Sequence, residues 1–281
     1  MLGGPHRIAP HESGRIRMQE TTARQGVIAS VSGLFTGVAA GFIGVGGGEF
    51  RIPVLVELLK FPLKLGGGVN LVVGLFTVAL GVLRRWGQHS LTQDDLMLIG
   101  IMGIASLAGA AVGVFGREKM PVRPLRVIVC VYLIVVGIWM LYESFAHAEH
   151  VLLEPTGMAR WILAAVIALA IAVVSGVLGV AGGEMRIPAL LYLFGVPIVE
   201  AGTLSLVVSI PTVAAGAFTD RRLGGIPNSV VRVAVIMGIA SAVGVLVGAA
   251  LVPYASREVI KGTLGVVLLL ATVRLTVGPS H

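Results

Sequence analysis

The chain has 281 residues, of which 56% are hydrophobic and only 12% charged, with a mean hydropathy of +0.95. Soluble domains carry roughly 25% charged residues, so these values exclude a water-soluble globule and indicate a membrane protein. The net charge of +7 does not point to nucleic acid, because the basic residues fall in short clusters between apolar runs and form no continuous basic face; they read as topology signals.

Residues 1–25 are polar, hold Arg7, Arg15, Arg17 and Arg24 and lack an apolar region of signal-peptide type, so a cytosolic tail is expected. The apolar run 26–44 is nearly long enough to span a bilayer. It leads into Gly41-Phe42-Ile43-Gly44-Val45-Gly46-Gly47-Gly48-Glu49-Phe50-Arg51-Ile52-Pro53, which sets glycines, a carboxylate and a guanidinium inside otherwise apolar sequence. Residues 52–61 read as a short helix opened by Pro53, at a position where proline's missing N–H costs nothing. Apolar runs follow at 65–83, 96–114 and 125–141, the last holding the single cysteine, Cys130, as a small core residue. A polar seam with Glu143, His147, Glu149, His150 and Glu154 then separates this half from the next.

The second half repeats the order. After the run 161–179, Gly176-Val177-Leu178-Gly179-Val180-Ala181-Gly182-Gly183-Glu184-Met185-Arg186-Ile187-Pro188 matches the first motif at nine of thirteen positions, at an offset of 135 residues. The same offset carries Ile101-Met102-Gly103-Ile104-Ala105-Ser106 onto Ile236-Met237-Gly238-Ile239-Ala240-Ser241. A short helix at 187–194 and runs at 198–218, 230–251 and 259–273 complete the copy. The chain is therefore two copies of one unit, with expected boundaries of 1–25 for the tail, 26–144 and 161–281 for the repeats, and 145–160 for the linker.

If each first run and its short helix form a hairpin, each unit makes an odd number of crossings and the second is inverted. With a cytoplasmic N-terminus, 14 Lys and Arg residues then lie inside and 5 outside, against 11 and 8 if the units are parallel. The positive-inside rule favours the inverted arrangement. The expected fold is an all-α polytopic membrane protein with two inverted-topology repeats, each a broken-helix hairpin plus three transmembrane helices.

Inverted units with interrupted helices point to a secondary transporter whose site lies near the midplane. Gly46, Gly47 and Gly48, with Gly182 and Gly183, can bring backbone N–H groups close to a ligand. Arg51 and Arg186 add planar donor forks suited to oxyanions. Asn70, which follows three glycines, and its counterpart Ser205 are expected to line the cavity. Pro53 and Pro188 mark the helix breaks, and Pro211 is expected to bend its helix. Glu49 and Glu184 either couple transport to protons or pair with the arginines across the two halves. No cofactor is expected, and the six histidines have no metal-ligand spacing.

The duplicated glycine-rich segments ending in proline, Gly41–Pro53 and Gly176–Pro188, resemble those of the sulfite exporter TauE/SafE family of membrane permeases, and the resemblance covers about 26–277. It implies transport of a sulfur-containing anion, of the sulfite or organosulfonate class, across the bacterial inner membrane. Ala181 stands where the first half has Gly46, which weakens the expectation of two equivalent anion contacts. A passive anion channel or a carboxylate carrier would fit the same residues. A membrane enzyme would need a nucleophile or clustered His, Asp and Cys, which the motifs lack. A homodimer is left open.

Overall fold

A chain in lipid must satisfy its backbone N–H and C=O groups internally, which leaves apolar runs of this length the α-helix. The computed structural model describes residues 23–85, 91–117, 122–146, 151–153 and 155–277. Among them ten α-helices follow one another: α1 (Ala23–Ile43), α2 (Gly48–Pro53), α3 (Leu63–Arg85), α4 (Gln93–Gly116), α5 (Val122–Ala146), α6 (Gly157–Leu178), α7 (Gly183–Phe194), α8 (Ile198–Arg222), α9 (Asn228–Leu251) and α10 (Arg257–Val277). The expected tail up to residue 22, the linker residues 147–150 and 154, and the side chains of Glu49 and Pro53 lie outside the described set. Helices α1, α3, α4, α6, α8 and α9 are long and apolar enough to cross a membrane. Their outward faces stay apolar, as in Phe35, Ile104 and Val166, which suits contact with acyl chains.

The helices meet through small residues. Gly33, Gly37 and Gly41 of α1 face the backbone of Met237, Ser241 and Val245 of α9, so the two helices run parallel; a Cβ at Gly33 would sit 2.5 Å from Met237 O. Gly109 and Gly113 of α4 face Leu169 and Val173 of α6 in the same parallel sense. Without a hydrophobic drive between helices in lipid, such close backbone approach is what holds them. Helices α3 and α8 pack antiparallel, with Leu71 on Gly216, Val213 on Gly74 and Leu206 on Gly81. So do α5 and α10, where Gly137 meets Gly265 and Ser144 Oγ donates to Glu258 O at 2.8 Å. The large interfaces thus join helices from opposite halves of the sequence.

Both motifs interrupt their helices, four residues earlier than the prolines suggest. The short helices start at Gly48 and Gly183, where residues 52 and 187 were expected, and Pro53 closes α2 while Pro188 lies inside α7. The breaks fall on glycines: Gly44, Gly46 and Gly47 have φ of 97°, 89° and 71°, and Gly179 and Gly182 have 75° and 77°. Left-handed backbone ends a helix without steric cost only at glycine. As the sixth residue of each short helix, proline lacks the N–H that would donate to the carbonyl four residues earlier, so each short helix forgoes one bond. In the first half Val54–Leu58 follows as a π-helical turn, whereas α7 continues through Pro188 to Phe194. Helix α8 continues through Pro211 from Ile198 to Arg222.

Candidate functional site between two broken helices

The two glycine breaks touch. A Cβ on Gly46 would lie 2.9 Å from the Cβ of Ala181, Gly48 faces Val180, and Gly183 faces Val45. Behind them, Gly44 packs on Gly202 of α8 and Gly179 on Gly67 of α3, so that no side chain fits at either crossing. The residues expected to form a ligand site are therefore brought to one place in the interior.

Arg51 is fully buried there. Its Nε donates to Asn70 Oδ1 at 2.8 Å, Nη1 to Thr77 Oγ1 at 2.6 Å and to Ser241 Oγ at 3.1 Å, and Nη2 to Gly46 O at 2.6 Å. The amide of Asn70 continues across to the other half, donating to Gly179 O at 2.7 Å. Asn70 is thus a clip between the first arginine and the second break.

Arg186 is equally buried but differently held. Nη1 donates to Ser209 Oγ at 2.8 Å and Ser205 O at 3.3 Å, and Nη2 to Thr212 Oγ1 at 3.3 Å. These acceptors all belong to α8, whereas Arg51 reaches α3, α9 and its own loop. Part of the difference is local: Gly46 takes φ 89°, a conformation that an L-residue such as Ala181 rarely adopts. Glu184 is buried, with 3% exposure, and its charge acts on Arg186. Ser205 is buried with its Oγ unpaired. The side chain of Glu49 is outside the described set, so the expected pairing of its carboxylate falls there too.

Arg85, Asp220 and Arg117 are further buried charges that the sequence does not mark as part of the interior. Arg85 Nη2 donates to Gly41 O and Phe42 O, both at 2.7 Å, satisfying carbonyls at the end of α1. The offset of 135 places Asp220 opposite Arg85. There the carboxylate pairs at 3.2 Å with Arg117, whose Nη2 donates to Gly176 O at 2.8 Å near the end of α6. Each broken helix thus has a guanidinium at its C-terminal end, where cations are favoured. The available signal is a reversal of charge at one repeat position; by sequence alone Arg85 and Arg117 are topology markers like the other clustered basic residues.

Comparison with known proteins gives the family. A family model described as "Sulfite exporter TauE/SafE" matches residues 29–275. The chain is also similar to "Probable membrane transporter protein YdhB" of Bacillus subtilis (strain 168), with 24% identity over 229 residues, covering 81% of this chain and 91% of that protein. No solved structure matches it. With nearly the whole helical region inside the family match, from early in α1 to the last turn of α10, the chain belongs to the sulfite exporter TauE/SafE family of membrane transporters.

Proposed function

We propose that this transporter, which is not an enzyme, carries a small sulfur-containing anion of the sulfite or organosulfonate class across the bacterial inner membrane by alternating access. The observation that carries the reading is the meeting of two helix breaks, each followed by a short helix bearing a fully buried arginine. Left-handed glycines keep side chains off the backbone, and the guanidinium groups supply fixed positive charge in a medium that makes charge costly without a task. The family's description as sulfite exporters supports the sulfur oxyanion class.

Alternating access needs two halves that can rock about a shared site. The 135-residue repeat, together with interfaces that exchange partners under it (α1 on α9 as α6 on α4, α3 on α8), supports two inverted-topology repeats. Helix directions support inversion: α1 runs parallel to α9 and α6 to α4, while α3 and α8 oppose one another. With the N-terminus cytoplasmic, the majority of lysines and arginines lie inside.

Glu184 supports proton coupling, because an anion arriving beside a buried carboxylate favours the carboxylate's protonated form. In proteoliposomes the expected outcome is saturable counterflow of labelled sulfite or a small organosulfonate, faster with an imposed proton gradient. Glu184→Gln should keep counterflow and lose the response to the gradient. Unsaturable conductance would instead identify a passive channel, and a pH response unchanged in Glu184→Gln would remove the coupling role.

A further inference from the structure

The two arginines differ in one respect that bears on which of them meets the ligand. Arg51 Nε is closed off by Asn70 Oδ1 at 2.8 Å. The corresponding position in the second half holds Ser205, whose hydroxyl is too short for the same link. Arg186 Nε and Ser205 Oγ are both buried and both lack a hydrogen-bond partner, although Ser205 O is only 3.3 Å from Arg186 Nη1. Ser106 repeats the pattern. Its counterpart Ser241 lies 3.1 Å from Arg51 Nη1 and 3.0 Å from Thr77 Oγ1, whereas Ser106 Oγ is buried without a partner. One turn before it, Gly103 faces Pro211, the neighbour of Thr212, which accepts from Arg186 Nη2.

Arg186, Ser205 and Ser106 have zero exposure. Native structures rarely leave buried donors unpaired, and such groups call for an explanation such as a ligand. The guanidinium is a fixed donor and the hydroxyls can rotate to donate, a set that suits an oxyanion and repels a cation. We propose that Arg186 Nε and Ser205 Oγ, with Ser106 Oγ beside them, form the anion-binding half-site, and that Arg51 is a structural lock. One oxygen of a sulfite or sulfonate group takes the place that the Asn70 amide oxygen fills in the other half. This rests on the transport reading above and assigns its substrate contact to one half only.

The test is Ser205→Asn, which rebuilds in the second half the link seen in the first. Purified full-length protein is titrated with sulfite and with methanesulfonate while its melting temperature is followed, since a ligand bound to the native state raises it. The native protein should show an anion-dependent rise; Ser205→Asn should melt at or above the native temperature without anion and lose that rise. Ser205→Ala removes one donor and should weaken anion binding about tenfold, near the cost of one charge-assisted hydrogen bond. A folded Ser205→Asn that keeps the full anion response overturns the assignment, and counterflow persisting in that variant shows that the transport reading survives. If Ser205→Asn does not fold, undiminished affinity in Ser205→Ala overturns it, as expected of a hydroxyl that never meets the anion. No anion response in the native protein, together with no counterflow, overturns both the assignment and the transport reading.

Discussion

Asn70 satisfies two buried groups at once, accepting from Arg51 Nε and donating to Gly179 O. Asn70→Ser would leave an ionised donor and a carbonyl unpaired in the interior, each costing roughly 1–3 kcal/mol. The expected loss is about 2–6 kcal/mol, measurable as denaturant unfolding in detergent micelles. A neutral outcome would mean that the clip is dispensable. A second buried pair, Glu143 and Lys261 at 3.1 Å, joins α5 to α10, and Glu143 also accepts from Trp139 Nε1 and Tyr192 Oη. Lys261→Met removes the buried carboxylate's charge partner and should cost roughly 3–5 kcal/mol, most of it recovered in the Glu143→Leu/Lys261→Met double variant. In the sequence Glu143 opens the polar seam and Lys261 stands within the run 259–273, far apart in the chain; only their burial, at 1% and 3% exposure, and their contact show that they serve as a pair.

Among the elements, the breaks and the helix contacts depend on glycine for different reasons. At Gly46 the need is conformational, with φ at 89° and the Ala181 Cβ close by. Gly46→Ala should destabilise by roughly 1–3 kcal/mol through backbone strain and should weaken the bond from Arg51 Nη2 to the carbonyl of residue 46. Along α1 the need is spatial: a Cβ at Gly37 would run into the backbone of Ser241. Gly37→Leu therefore should force α1 from α9 and lower the melting temperature further than the same change at Gly26, where nothing lies within 4 Å. Equal effects at the two sites would argue against close packing as the role of these glycines. The interruptions were legible because three neighbouring glycines stand out in an apolar run. Their location ahead of the prolines was not, since proline near a helix start and proline at a helix break leave the same mark in the sequence.

For the whole molecule, inversion makes a testable statement about sides. In a Cys130→Ala background, Leu223→Cys at the exposed end of α8 should react with an impermeant thiol reagent only from the cytoplasmic face. Gln93→Cys, exposed at the start of α4, should react only from the opposite face, whereas parallel units would place it on the same face as residue 223. Labelling of both from one side would exclude the inverted arrangement.

The amino-acid sequence alone determined that this is a membrane protein, that one glycine-rich motif occurs in it twice, and where its long helices run. Lipid makes each segment satisfy its own backbone, so composition and run length suffice to place helices. Tertiary structure decided which polar groups are satisfied and by whom. Asn70 reaches Gly179, Arg51 reaches Ser241 and Arg117 reaches Asp220 across separations of more than a hundred residues. Side-chain hydrogen bonds and ion pairs form wherever packing brings donors and acceptors within about 3 Å, and no local pattern records that proximity. The same reason explains why Arg51 and Arg186, alike in their motifs, are held by such different partners.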